Sequence, residues 1–380
     1  MNILKFLHCS DIHLDMPFTS LGADTKRSSV RRQDLKDVLA SIVDTAKNNK
    51  VHMILISGDL YEHKYIRRST INHVNELFKS IPDIKVVMMP GNHDPYASNS
   101  FYQNYSWADN VFILCPEKSV FYFEDIDACV FGMGFENSNR LEPSMPDITL
   151  NKDYYNILML HGTVDMNFGK TVLNPVSSRS LAAAAMDYIA LGHFHKRAEN
   201  IGGYGSIFNP GSPEPLGFDE EGEHGVFLCT LYNESYDKRK RLEYEFIRTF
   251  KKQYYNMELD ITGLDTYEKV QEKINELLKN ISSNSLVSIR LKGLTEYEFG
   301  KDLNQMEENL NERFFFIKLM NDTRPSYNID EISAEPGLRG LFARKMLKKI
   351  DDEKDAGIKD KLKRSLDFGL MALEKGKIDI

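Results

Sequence analysis

Five short stretches of the chain gather histidine, aspartate and asparagine at spacings that suit metal chemistry. They are Asp11-Ile12-His13, Gly58-Asp59-Leu60, Gly91-Asn92-His93-Asp94, His161-Gly162 and Gly192-His193-Phe194-His195. Each closes a segment whose pattern reads as a strand. In open α/β sheets ligands collect beyond the carboxyl ends of strands, so five polar clusters placed there point to one shared site. Extended backbone turns residues i and i+2 to the same face. Asp11 and His13 can then aim at one point, and so can His193 and His195. Asp59 and Asn92 each adjoin a glycine, which permits a tight turn beside a ligand. The donors are imidazole nitrogen with carboxylate and amide oxygen, and no thiolate. That set suits Mn²⁺, Fe or Zn²⁺ and argues against soft-metal and Ca²⁺ sites. Seven candidate ligands (Asp11, His13, Asp59, Asn92, His161, His193, His195) are too many for one tetrahedral ion. With one carboxylate bridging, they suit two divalent ions. Such a pair, about 3.5–4 Å apart, can grip a phosphoryl group, activate a water and neutralise the attacking and leaving oxygens. His93 is left over and can protonate the leaving oxygen. Asp94 beside it can orient that imidazole.

Elements of alternating type must position these residues. Leu4–His8, Val51–Ser57 and Ile84–Met89 read as apolar strands, and helical spacing over Val30–Asn49 and Arg67–Ser80 separates them. This βαβαβ rhythm argues for an α/β core. Beyond residue 110 the texture changes. Strand-like runs follow closely at Val111–Leu114, Ser119–Phe123, Ala128–Met133, Ile157–Leu160, Tyr188–Leu191, Ser206–Asn209, Val226–Tyr232 and Leu242–Arg248. Two sheets packed face to face fit this better than one doubly wound sheet. A boundary is expected near Thr249–Gln253, followed by a compact α+β unit and a polar linker at Asn321–Asn328. Amphipathic helices are expected over Leu338–Ile350 and Lys359–Leu373. The expected division is 1–250, a two-sheet sandwich flanked by helices, then 251–325, a small α+β cap, then 326–380, a helical tail.

The strand-end motifs, taken in order, resemble the calcineurin-like metallophosphoesterases. Within that superfamily the chain is similar to the SbcD-type DNA repair nucleases and to their bacterial YhaO-like branch. Asn209-Pro210-Gly211-Ser212 also fits that branch. The resemblance rests on the first 250 residues. It implies that Asp11, His13 and His195 hold one metal and that Asn92, His161 and His193 hold the other. It further implies that Asp59 bridges the two, that His93 acts on the phosphate, and that Mn²⁺ is the favoured ion. Some relatives place a histidine three residues after the bridging aspartate. Here that position is Glu62, with His63 one further on, so neither receives a role. The resemblance also implies a DNA substrate, an SMC-like coiled-coil ATPase subunit that docks on the C-terminal helix, and a homodimer formed through helices of the phosphoesterase domain.

Other features carry plainer readings. Tyr96, Phe101, Tyr102, Tyr105 and Trp107 follow His93 and read as loop packing more than as a base-stacking platform. Arg27/Arg31/Arg32 and Lys64/Arg67/Arg68 could track a phosphate backbone or be solvated helix faces. The run at residues 238–241 reads as an exposed hairpin tip. Competing functions are a phosphatase or small-nucleotide phosphodiesterase of the same fold, and an interaction protein with a structural metal site. The 380 residues carry a net charge of −8, which speaks against a generic polyanion binder. Two bound dications would supply positive charge where a phosphate must sit, so a DNA substrate stays compatible. The four cysteines are far apart in sequence, no apolar run nears the length of a membrane span, and Ile3–Leu7 is short for an export signal. A reduced cytoplasmic setting is the expectation.

Overall fold

The computed structural model describes residues 2–21, 25–137, 145–165, 173–233, 240–295 and 302–375. The chain forms two compact units, Met1–Gln253 and Tyr254–Ile380. In the first, β1 (Asn2–Cys9), α1 (Lys26–Asn48), β2 (Met53–Ser57), α2 (Arg68–Lys79), β3 (Lys85–Met89), a short α3 (Phe101–Asn104) and β4 (Val111–Ile113) come in that order. They are followed by β5 (Val120–Phe123), β6 (Ala128–Gly132), β7 (Tyr155–His161), α4 (Ser178–Ala183), β8 (Tyr188–Gly192), β9 (Ile207–Phe208), β10 (Gly225–Asn233) and β11 (Arg241–Arg248). These strands make a six-stranded sheet, β11-β10-β1-β2-β3-β4, and a five-stranded sheet, β5-β6-β7-β8-β9. β1 to β4 run parallel, as do β6 to β9.

Period-two alternation sets what faces what. Leu4 and Phe6 of β1, Met53 and Leu55 of β2, and Val87 and Met89 of β3 share one core with Val130, Ile157, Met159 and Ala190 of the other sheet. The intervening residues, such as Leu7, Ile54, Ile56 and Val86, are buried as well. A strand covered on both faces reads as a continuous apolar run, and for that reason β2 is legible as Met53-Ile54-Leu55-Ile56. Helix α1 begins where the Thr25 hydroxyl accepts the Ser28 N–H, and buries Leu35, Val38, Leu39, Ile42 and Val43 on one stripe. Its Arg31 is also fully buried. The guanidinium donates to Asp34 at 2.9 Å, to the Pro215 carbonyl at 2.6 Å and to Glu214. Arg31 therefore braces the fold and does not track phosphate. Of the run at 238–241, Lys238 and Arg239 lie outside the described residues. Lys240 is not an exposed turn residue: its Nζ donates to Asp187 at 2.8 Å and to the Tyr154 carbonyl.

In the second unit β12 (Tyr254–Asp260), α5 (Tyr267–Leu277), β13 (Leu286–Lys292), α6 (Asp302–Arg313) and β15 (Phe316–Asn321) form a three-stranded parallel sheet with crossover helices. A short β14 (Leu294–Thr295) pairs with β16 (Arg324–Pro325), so the polar stretch read as a linker contains a strand. Then come α7 (Ile329–Ala334), α8 (Leu338–Asp352) and α9 (Ala356–Lys375). Phe342, Met346, Leu347 and Ile350 of α8 pack with Leu366 and Leu370 of α9, while Leu338 and Leu341 stay exposed. Among the described residues no helix is long and apolar enough to cross a membrane.

Candidate metal centre

Five loops meet where β1, β2, β3, β7 and β8 end. The pairing of β1 with β2 continues past both strands: Asp11 N–H donates to Gly58 O at 3.1 Å, and His13 N–H to Asp59 O at 3.0 Å. The end of β7 is tied to the end of β2 by the His161 Nδ1 contact with Ser57 O, at 2.8 Å. Asp11 accepts the His193 N–H at 3.1 Å, and Asp59 accepts the His93 N–H at 2.8 Å. All seven sequence-derived donors are thereby brought into one neighbourhood. The backbone of four of them is not extended, as i and i+2 spacing would require. Asp11, His13, Asp59 and His193 have φ of 54°, 51°, 53° and 101°. L-residues avoid that left-handed region, at a cost of order 1–3 kcal/mol each. The loops, and not a flat strand face, aim these side chains. Gly58 has φ of 93°, and a Cβ there would strike the His161 ring.

The donor atoms fit cations. Those of Asp11, His13 and His195 lie within 4.8 Å of one another, as do those of Asp11, Asp59 and His161. Asp59 Oδ2 sits 3.7 Å from His13 Nε2 and 3.2 Å from His161 Nε2, between the two groups. Asn92 Oδ1 lies 3.0 Å from His161 Nε2, and the His161 and His193 rings are 5.3 Å apart. The His13 and His195 Nε2 atoms stand only 3.2 Å apart. Converging imidazoles and carboxylates suit two divalent ions, which are the chemistry this set can hold.

Electrostatics point the same way. Burial alone would raise the Asp59 carboxyl, but His161, then His13 and His93, outweigh it and hold it far below the usual range. Burial opposes charge on His161, yet the Asp59 carboxylate pushes it up to about 9. Burial likewise opposes charge on His195, and the Glu220 carboxylate leads the groups that push it up to about 9. His193 goes the other way, to about 4, through burial and the neighbouring His161. In the metal-free protein at neutral pH, His161 and His195 therefore carry protons that a metal must displace. Loading both ions at pH 7 is expected to release roughly two protons, and affinity should rise with pH up to about 9. Calorimetry in buffers of different ionisation enthalpy measures this. Proton-neutral loading at pH 7 would contradict it.

Two carboxylates that sequence reading passed over stand behind the histidines. Glu62 meets His13 Nδ1 at 2.8 Å and His93 Nδ1 at 3.1 Å. Glu220 meets His195 Nδ1 at 2.6 Å and also accepts from the Ser212 hydroxyl. Such partners fix the ring and its tautomer and so direct the other nitrogen at the ion or substrate. Glu62 is held down at about 2, because the His13 and His93 hydrogen bonds outweigh its burial. In turn Glu62 raises His93, whose side chain is 46% exposed. If His93 works as an acid, the raised pKa keeps its proton to higher pH. Glu62→Gln is expected to move the alkaline limb of the kcat profile to lower pH. A limb that does not move would remove Glu62 from this role.

Asp94 does not orient His93. Its carboxylate is fully buried and turned to the backbone. Oδ1 accepts Asp59 N–H at 3.1 Å and Gly91 N–H at 2.7 Å, while Oδ2 accepts Leu60 N–H at 2.7 Å, Tyr61 N–H at 3.3 Å and the Tyr102 hydroxyl at 2.7 Å. Burial, then Asp59, push this carboxyl up to about 7. All five partners are donors, so the charged form is the one this pocket satisfies. Tyr102 joins Tyr61 and Trp107 in an aromatic cluster, in keeping with a packing role for that segment. Away from the centre, His8 and His224 are buried and structural. His8, for example, meets Tyr188 OH at 2.9 Å, and is lowered to about 3 by burial.

Comparison with known proteins adds the family. A protein of Bacillus subtilis (strain 168), named uncharacterized metallophosphoesterase YhaO, is 25% identical over 366 residues, covering 89% of this chain and 86% of its own length. The SbcD component of the nuclease SbcCD of Escherichia coli (strain K12) is 25% identical over 276 residues, 60% of this chain and 66% of its own. The DNA double-strand break repair protein Mre11 of Methanopyrus kandleri is 22% identical over 276 residues, 64% of this chain and 56% of its own. In these last two the match leaves a third or more of the relative uncovered. A family model described as calcineurin-like phosphoesterase matches residues 4–197. That span starts in β1, ends just past His195 and contains every candidate donor, and on it the chain belongs to the calcineurin-like phosphoesterase family.

Proposed function

We propose that this metal-dependent hydrolase is a phosphodiesterase acting on DNA, an exonuclease of DNA repair that works with an SMC-like ATPase subunit. The observation that carries the reading is His93. It is the half-exposed imidazole beside the buried donors, and Glu62 engages its Nδ1. That leaves Nε2 to give its proton to the departing sugar oxygen, the step a diester with a poor leaving group needs. Asp11, His13 and His195 would hold one ion, Asn92, His161 and His193 the other, with Asp59 between them. Mn²⁺ is the ion we favour. When bound, the ions supply Lewis-acid charge to the phosphoryl oxygens and acidify a water. Lys64, Arg67 and Arg68 are exposed on the segment after Glu62 and are available to a phosphate backbone. The relatives named as a nuclease component and as break-repair proteins support the choice of DNA. The exposed Leu338 and Leu341 of α8 support docking of the ATPase subunit there.

The test is an assay on linear duplex DNA with defined ends, with Mn²⁺ or a chelator, set beside a nitrophenyl monoester and a bis-nitrophenyl diester. Mn²⁺-dependent shortening of DNA and a preference for the diester are expected. Turnover of the monoester alone would favour the phosphatase reading.

A further inference from the structure

Beside the centre lies a smaller pocket of about 330 Å³, lined mainly by apolar atoms, among them those of Val164, Leu191, Phe194 and Ile201. It shares Phe194, Lys196 and Arg197 with the larger cleft that contains His193 and His195. We propose that this pocket receives the base of the nucleotide next to the scissile phosphate, an inference that rests on the phosphodiesterase reading above.

Three features converge on a nucleotide. The first is placement. Phe194 stands between two candidate ligands in the chain, and its ring lies 5.4 Å from the His193 ring, edge to face. An aromatic wall next to a phosphate-handling site is placed to stack a base one sugar away. The second is chemistry. A centre that handles phosphate has no need of an apolar recess, unless the substrate carries a planar apolar group on that phosphate. At its size the recess falls near the lower end of small-ligand pockets, and it suits one ring system. Lys196 at the rim is exposed, with no ion-pair partner among the described residues, and can meet a flanking phosphate. The third is Asn209, which lines the pocket and is only 3% exposed. Its Nδ2 donates to Phe194 O at 2.7 Å and to Lys196 O at 2.9 Å, which fixes the amide orientation. Its Oδ1 is then a buried acceptor, and it has no hydrogen-bond partner among the described residues. Buried acceptors of this kind are uncommon and call for a donor. The exocyclic amine of adenine or cytosine supplies one.

The test titrates dAMP and deoxyribose 5-phosphate into the full-length, Mn²⁺-loaded protein by calorimetry. Stacking predicts that dAMP binds on the order of tenfold more tightly. Phe194→Ala should erase that preference, and so should Ile201→Trp, which fills the recess from a half-exposed position. Equal affinities in the unaltered protein, or a preference untouched by both variants, would overturn the pocket. The nuclease reading has its own arm, cleavage of an oligonucleotide intact or abasic at the terminal nucleotide. Slower cleavage of the abasic strand supports the pocket. Cleavage indifferent to the base overturns it and leaves the nuclease standing. A dAMP preference without cleavage of any DNA keeps the pocket and rejects the nuclease.

Discussion

His93→Ala is expected to cut turnover of linear DNA on the order of 10²–10⁴-fold while the protein keeps its full metal content. The size follows from chemistry. A sugar alkoxide is a poor leaving group, and His93, raised by Glu62, is the exposed imidazole with a nitrogen left to protonate it. A nitrophenolate leaves without help. The same variant should therefore lose far less activity on bis-nitrophenyl phosphate. Turnover on the two substrates and elemental analysis of the variant decide the matter. Equal losses on both would deny His93 the role of acid, and loss of metal would make it a ligand.

Asp94→Asn is expected to be the most damaging conservative change near the site. The carboxylate satisfies four backbone N–H groups and one hydroxyl. An amide turns an N–H toward some of these donors and strands them in a buried place. Unsatisfied buried donors cost about 1–3 kcal/mol each, so a loss of roughly 3 kcal/mol is expected. Because Asp94 joins the loop of Asp59 to that of Asn92, metal affinity should fall as well. Tyr102→Phe removes a single donor and should cost about 1 kcal/mol. Urea unfolding of the metal-free variants, with metal titration alongside, tests both statements. A variant as stable as the parent, with only its pH profile altered, would instead return Asp94 to the neighbourhood of His93.

The contrast between Asp94 and Glu62 shows where sequence reading stops. The donors at the strand ends were legible because histidine and aspartate are uncommon after apolar runs, and because β2 and β3 are buried on both faces. The close succession of the later strand-like runs likewise disclosed two sheets. Where each side chain goes beyond a strand was not legible. Asp94 follows His93 in the chain, yet the turn directs it into the protein. Glu62 lies 31 residues from His93, yet meets it. A carboxylate in a polar loop looks like any solvated group until its neighbours are known, and Glu220 stayed hidden for the same reason. Arg31 was not legible as buried because the groups that make its burial tolerable include Glu214 and the Pro215 carbonyl, 183 and 184 residues along the chain, beside the nearby Asp34.

The left-handed backbone at Asp11, His13, Asp59 and His193 has an evolutionary side. A chain selected for stability alone would put glycine at these four positions and relax. This one retains aspartate and histidine there and carries the tension in its metal-free state. Breadth of core, supplied by the two sheets, is what lets it tolerate the compromise. Attempts to make the protein hardier should leave the rim alone and work on the far ends of the strands, where durability and activity do not compete.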